Sequence, residues 1–199
     1  MVINENILYS AGAHVIHYRP GEYIFREGDT TSYYYQIISG EVKLNNYSED
    51  GKEFIQNILS AGQSCGEAIL FIGKPYPMNA EVITECSVIR LSKLQFLDLL
   101  NQTPELLLEI STFLSQGLYY KFIMMQNISS QNPATRIRGL MDYLKSFHGR
   151  SDAPYSFLIP FTRKQVASLT GLCVETAIRT IKGMERDKIV KIKDRKILY

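Results

Sequence analysis

Glu175 and Arg179 stand four residues apart in a stretch that reads as a helix, Val174-Glu175-Thr176-Ala177-Ile178-Arg179. That spacing puts a carboxylate and a guanidinium on one helix face. An arginine fork can bond O6 and N7 of guanine, and a carboxylate can accept from N4 of cytosine. Together they can read neighbouring base pairs on opposite strands. Arg163, Thr176 and Lys182 are of the types that hold phosphate oxygens. Cys173 and Val174 open the same helix, and Ile178 can touch a thymine methyl but cannot donate to a base. A Glu and an Arg at this spacing are also an ordinary helix pair, and a first-turn Glu is favoured by the helix dipole anyway. The reading therefore depends on the elements around the pair.

Those elements form a helix-turn-helix. Thr162-x-x-Gln165 is a capping box and starts a helix. Gly171 lies where a helix C-terminus needs a left-handed residue. Thr170-Gly171-Leu172-Cys173 then turns the chain into the second helix. Val166, Leu169, Leu172, Ala177, Ile181 and Met184 supply its apolar inner side. Beyond it, Lys191 to Tyr199 holds two short β runs around Asp194-Arg195, the pattern of a wing.

The charge distribution agrees with a nucleic-acid partner. Residues 1–132 carry 8 Lys and Arg against 14 Asp and Glu, a net of −6, whereas residues 133–199 carry 14 against 6, a net of +8. An acidic module joined to a basic one fits DNA binding by the second. The 199 residues, 45% of them apolar, suffice for two small cores. No apolar run approaches the roughly 18 residues a membrane span needs. No signal peptide is visible either, so a cytoplasmic location is expected. Cys65, Cys86 and Cys173 are widely separated, which argues against a disulfide framework and against a cysteine-only iron–sulfur or zinc site.

The acidic half reads as short strands. Pro20-Gly21, Glu27-Gly28-Asp29, Ser39-Gly40, Asp50-Gly51, Ala61-Gly62 and Gly73-Lys74-Pro75 punctuate runs rich in Tyr, Ile, Val and Phe. Turn signals at about 8–12-residue intervals predict a β-sandwich or barrel. Asp50-Gly51 marks a hairpin. After Leu91 the pattern becomes helical. Ser92-x-x-Gln95 caps a short helix to about Leu100, and Thr103-Pro104 opens a longer one to about Ile128. On that long helix Ile110, Phe113, Gly117, Tyr120 and Met124 form a seam of alternating threes and fours. Leu107, Leu114, Leu118 and Met125 form a second apolar face. One face can lie on the β module and the other on a second copy, with Gly117 permitting close approach across the seam. Asn132-Pro133 starts a further helix to about Phe147, followed by a loop at 148–154.

Taken together, these motifs resemble the bacterial Crp/Fnr superfamily of transcription regulators over nearly the whole chain. The matching residues are Pro20-Gly21-x-x-Ile24, Glu27-Gly28-Asp29, Tyr35-x-Ile37-x-x-Gly40-x-Val42-Lys43, Asp50-Gly51-Lys52-Glu53 and Gly62-x-x-x-Gly66-Glu67. In the basic half they are Thr162-Arg163-x-x-Val166-Ala167, Gly171 and Glu175-Thr176-x-x-Arg179. The resemblance implies an α+β chain in three parts: a cyclic-nucleotide-binding-type β-roll at 1–102, a dimerisation helix at 103–131 and a winged helix at 132–199. It implies a homodimer through Pro104 to Ile128, a palindromic DNA site with the family's central G-A step in each half, and contact with RNA polymerase. It does not imply an enzyme. A cupin-type enzyme would need a cluster of histidines with a carboxylate, which His14 and His17 cannot supply.

The resemblance also locates an effector pocket, at Gly66, Glu67, Ala68, Met78, Asn79, Ala80, Lys121 and Phe122. In the cyclic-AMP-responsive branch, Gly-Glu is followed by Arg-Ser-Ala. The Glu takes a ribose hydroxyl, and the Arg and Ser take the phosphate. Here Gly66-Glu67 is kept, but the later segment reads Pro77-Met78-Asn79-Ala80. A phosphodiester buried without a cation is costly. Lys121 and Phe122 also replace small hydroxyl residues on the long helix. Cyclic AMP is therefore not expected as the effector. An iron–sulfur cluster is not expected either, because the N-terminal cysteines of that branch are absent. Heme through His14, His17 or His148 is a minor alternative, and so is a redox role for Cys173. The effector stays open, and a β-roll that takes no ligand is the second reading.

Overall fold

The computed structural model describes residues 2–146 and 153–199. Phe147, the expected helix end, and His148 lie outside the described residues. In chain order the elements are α1 (Glu5–Ser10), β1 (His14–Tyr18), β2 (Tyr23–Phe25), β3 (Tyr33–Ser39), β4 (Glu41–Tyr47), β5 (Glu53–Ser60) and β6 (Ser64–Cys65). Then come α2 (Glu67–Ile72), β7 (Asn79–Val82), β8 (Cys86–Ser92), α3 (Lys93–Gln102), α4 (Glu105–Ser129) and α5 (Pro133–Ser146). The chain closes with α6 (Arg163–Thr170), α7 (Val174–Arg186), β9 (Lys191–Lys193) and β10 (Lys196–Leu198). Two compact units result, one running through Gln116 and the other from Gly117, so the boundary falls inside α4.

The first unit is built from two four-stranded antiparallel sheets, in the orders β1-β8-β3-β6 and β2-β7-β4-β5. Alternation along each strand sends one set of side chains inward. Phe25, Tyr35, Ile37, Val42, Leu59, Cys65, Tyr76, Val82 and Val88 form that inner core. The opposite face of the first sheet carries Tyr34, Ile89 and Leu91, which pack with Leu8 of α1, Phe96 and Leu100 of α3, and Leu106 and Ile110 of α4. The hairpin between β4 and β5 turns at Gly51, with φ 76°, and Ser48 N–H donates to Lys52 O at 3.0 Å. Gly40 (φ 90°) joins β3 to β4 where a Cβ would strike the Glu85 carbonyl and the Cys86 sulfur.

The two apolar faces of α4 have different fates. Ile110 is buried in the first unit, and Tyr120 and Met124 are buried in the second, where the Tyr120 and Tyr143 rings lie 4.5 Å apart. The seam is thus consumed largely within the chain itself. The second face stays open except at Leu114, which packs partly buried against the first unit's core: Leu107, Leu118 and Met125 are exposed, as is Phe122 between them. Gly117 is also exposed, and an added Cβ there would meet nothing within 4 Å. The close approach expected at Gly117 is one between two copies, and within the protomer the position is open.

In the second unit, Asn132 Oδ1 accepts from Ala134 N–H at 2.9 Å and caps α5. Ile137, Leu140 and Met141 of α5 are buried, as are Val166, Ala167 and Leu169 of α6 and Ala177, Ile181 and Met184 of α7. Strands β9 and β10 pair through Ile197–Ile192, and Ile159 N–H adds an edge bond to Ile197 O at 2.9 Å. The Tyr199 hydroxyl donates to the Asp142 carboxylate and ties the last residue to α5.

Candidate DNA-reading site and effector pocket

Local chemistry fixes the turn between α6 and α7. Thr162 accepts from Gln165 N–H, and the Gln165 side chain accepts from Thr162 N–H at 2.8 Å, a complete capping box. Helix α6 ends at Gly171 in the left-handed region (φ 67°, ψ 20°), and Leu172 N–H returns to Ala167 O at 2.9 Å. The Arg136 guanidinium donates to Ser130 O at 2.6 Å and to Thr170 O at 3.4 Å. It sets a positive charge against the negative end of α6. Gly171→Ala must force a Cβ into the left-handed region at a cost of about 1–2 kcal/mol. A lowered Tm with unchanged far-UV circular dichroism is the expected result.

Helix α7 begins at Cys173, which occupies the N-cap without bonding the helix backbone through its side chain. Its thiol lies 2.9 Å from Thr176 Oγ1, and this hydrogen bond holds the exposed thiol below its ordinary pKa. Val174, Thr176 and Ile178 are half-buried. Glu175, Arg179 and Lys182 are exposed, at positions i, i+4 and i+7 of one face. Among the described residues, no side chain bonds any of the three. Arg163 is half-buried and donates to Arg195 O at 3.0 Å, so it braces the wing. Arg195 and Asp194 both have positive φ at the wing tip.

Sequence reasoning passed over the rest of this basic surface. Arg186 extends the exposed α7 face by one more turn, and Lys191, Lys193, Arg195 and Lys196 are exposed on the wing. The alternation of Lys with Ile at 191–193 was the available signal.

The pocket residues fall into separate settings. Gly66 (φ 82°) precedes α2, and a Cβ there would sit 2.7 Å from the Tyr76 ring and 3.1 Å from the Phe25 ring. Those rings stack with centroids 3.7 Å apart. Glu67 opens α2 and is only 7% exposed, and Met78 is 6% exposed. Ala80 is fully buried. Asn79 is committed to structure: its Oδ1 accepts from Glu27 N–H at 3.0 Å and its Nδ2 donates to Asn45 O at 3.2 Å. Ala68 faces solvent, and Lys121 and Phe122 are exposed on the part of α4 that belongs to the second unit. The histidines raised for heme have protein partners: His17 Nδ1 lies 3.0 Å from Ser87 Oγ, and His14 Nε2 lies 3.1 Å from Arg90 Nη2.

A double-sheet roll, a long helix and a winged helix-turn-helix follow one another along the chain. Residues 15–103 match the cyclic nucleotide-binding domain family. The nitrogen fixation regulation protein FixK of Bradyrhizobium diazoefficiens is 25% identical over 181 residues, covering 89% of this chain and 74% of its own. The cAMP-activated global transcriptional regulator CRP of Haemophilus influenzae is 28% identical over 163 residues, covering 81% and 72%. Among solved structures, the c-di-GMP responsive global regulator CLP of Xanthomonas campestris superposes with a TM-score of 0.77 at 22% identity, covering 98% of both chains. Together these matches support a Crp/Fnr-type transcription regulator, the family its motifs resemble. The chain is a DNA-binding transcription regulator, and its relatives are regulators rather than enzymes. No described helix is long and apolar enough to cross a membrane.

Proposed function

We propose that the protein is a dimeric, sequence-specific regulator that reads a palindromic site with α7 and answers to a signal other than cyclic AMP. The observation that carries this reading is the exposed Glu175-Arg179-Lys182 face, set by the Gly171 turn and left without side-chain partners among the described residues. Arg179 takes a guanine edge, Glu175 the neighbouring cytosine amine, and Lys182 a phosphate. Thr162 and Arg163 support the approach to the backbone, and Arg163 does so by holding the wing. Cys173, Val174, Thr176 and Ile178 shape the start of the reading face, with Ile178 shifting the preferred outer base. The working division is a sensor at 1–102, a dimerisation helix at 103–131 and a reader at 132–199, with RNA polymerase as a further partner.

The pocket supports the exclusion of cyclic AMP. Met78, which stands where that branch has its phosphate-binding Arg, is buried and apolar. A buried phosphodiester there would lose its water and gain no ion pair. Calorimetric titration of cyclic AMP into the full chain should give no saturable heat in the micromolar range. Micromolar or tighter binding contradicts the reading.

One observation favours the second reading, a β-roll that takes no nucleotide-like ligand at all. The Tyr76 and Phe25 rings already occupy the space against Gly66. Under that reading, DNA affinity is set by protein concentration alone. A ligand that raises Tm with the logarithm of its concentration above Kd separates the two.

A further inference from the structure

Among the described residues, the inner face of the first sheet carries one Lys or Arg, Arg90. His14, Arg90 and Tyr35 are cross-strand neighbours on β1, β8 and β3, and Tyr35 pairs onward with Cys65 on β6. Cross-strand neighbours share a face, so Arg90 lies on the same side as the buried Tyr35 and Val88 of the inner core. Its guanidinium sits 4.4 Å over the Tyr33 ring. Tyr33 in turn is tilted against Tyr35 at 6.1 Å, and its carbonyl faces the Tyr76 hydroxyl at 3.5 Å.

The bonding of this Arg is incomplete. Nη2 donates to His14 Nε2 at 3.1 Å. Arg90 Nε is buried and has no hydrogen-bond partner. The ion pairs of the described residues join Lys43 to Glu53 and Glu81, and Arg138 to Asp142, so no carboxylate neutralises Arg90. Glu22, whose charge acts on Tyr18, accepts from Arg19 N–H at 2.7 Å. Tyr18 and Tyr35 both lie within the field of Arg90, and burial holds both phenols above their ordinary pKa, so they stay protonated donors. Among the described residues, neither hydroxyl makes a hydrogen bond. Tyr18 also walls an open cleft of about 510 Å³ with His17, Gly21, Glu22, Tyr23 and Arg26.

A half-buried charge with an orphaned donor, on the sheet face it shares with Tyr35 and Tyr18, calls for an acceptor. We propose that Arg90, with Tyr18 and Tyr35, forms a binding site for a small oxyanion, a carboxylate or a phosphate, on the inner face of the β-roll. The guanidinium edge that carries Nε matches the two oxygens of such a group. The Tyr33 ring below it fixes the plane of the fork. Gly66, Glu67 and Met78 are not among its members, although Tyr35 adjoins Phe25 and Tyr76, the rings packed on Gly66, and the site does not depend on how α7 reads DNA.

The test uses the full chain without DNA. Inorganic phosphate and benzoate are titrated calorimetrically, each against sodium chloride at equal ionic strength. At least one probe should bind saturably, and Arg90→Gln should weaken it about tenfold or more, the scale of a lost charge-assisted contact. Tyr35→Phe should weaken it less, and Arg90→Lys should restore only part of the affinity, because Lys lacks the fork. Arg179→Ala, in the other unit, should leave the heat unchanged. Which probe binds decides between phosphate and carboxylate. If neither probe binds, or if Arg90→Gln and Arg90→Lys both bind like the wild type, the proposal is overturned. Heat that disappears in Arg179→Ala while persisting in Arg90→Gln places the anion on the DNA-binding surface and also overturns it.

Discussion

Arg179→Ala is expected to abolish most sequence preference while leaving salt-dependent binding to bulk DNA nearly intact. Arg179 is exposed, four residues from Glu175 on the same face of α7. Losing one bidentate guanine contact costs about 1–3 kcal/mol. A palindrome holds two such contacts, so a dimer should lose roughly 2–6 kcal/mol on its own site, about 30-fold to 20,000-fold. Non-specific affinity comes from phosphate contacts instead. The slope of log K against log salt should therefore stay close to wild type in Arg179→Ala. Lys182→Ala should behave the opposite way, lowering the slope by about 1 per protomer with little change in preference. Fluorescence anisotropy on a selected site and on a scrambled one, at several salt concentrations, separates the two effects. Equal losses on both sequences for Arg179→Ala would assign that side chain to the backbone rather than to a base.

The second large effect concerns α4. Leu118, Phe122 and Met125 are 51%, 58% and 69% exposed and lie at i, i+4 and i+7 of a helix whose other apolar side is buried. Burying one such side chain is worth about 1.5–3 kcal/mol. In a two-fold interface each counts twice. Leu118→Asp combined with Met125→Asp should therefore remove roughly 6–12 kcal/mol of association free energy, and charge repulsion adds to that. Sedimentation velocity should show a monomer at micromolar concentration. Far-UV circular dichroism should not change, because neither residue supports the protomer's own core. Binding to a two-half-site operator should fall by about 100-fold or more as the linkage between half-sites is lost. A double variant that remains dimeric would show that this face is not the interface.

Gly117, on the adjoining seam of α4, supplies a finer check on dimerisation through that helix. An Ala there meets nothing in the protomer and should raise helix stability by up to about 1 kcal/mol. If the helices of two copies approach closely at that point, the added methyl weakens association instead.

Some of this architecture was legible in the residues and some was not. The strands at Tyr33–Ser39 and Glu41–Tyr47 follow from alternation and from the glycines that punctuate them. The capping boxes at Ser92 and Thr162 and the turn at Gly171 mark helix ends by chemistry that acts locally. Helices α1 and α2 escaped because each has six residues, too few for a helical period to stand out. Gly66 before α2 also carries no capping side chain. The two apolar faces of α4 were visible, but only tertiary packing decides which is buried, and it buries Ile110, Tyr120 and Met124. The missing cation at Met78 is plain in the residue types. The rings of Tyr76 and Phe25 packed against Gly66 are not, since a Tyr between two prolines reads as a loop residue. Arg90 was likewise hidden, because a cation within a strand signals the outer face unless its cross-strand neighbours are known.

The central claim is that two copies of α7 read two halves of one palindrome through Glu175 and Arg179. Selection of binding sites from a random-sequence DNA pool by the full chain tests it most directly. The account predicts an inverted repeat whose half-sites lie one helical turn or a multiple of it apart, about 10–10.5 base pairs per turn. Each half should hold a G-A step that Arg179→Ala no longer enriches. An unenriched pool, a single asymmetric motif, or the same palindrome selected by Arg179→Ala would contradict it.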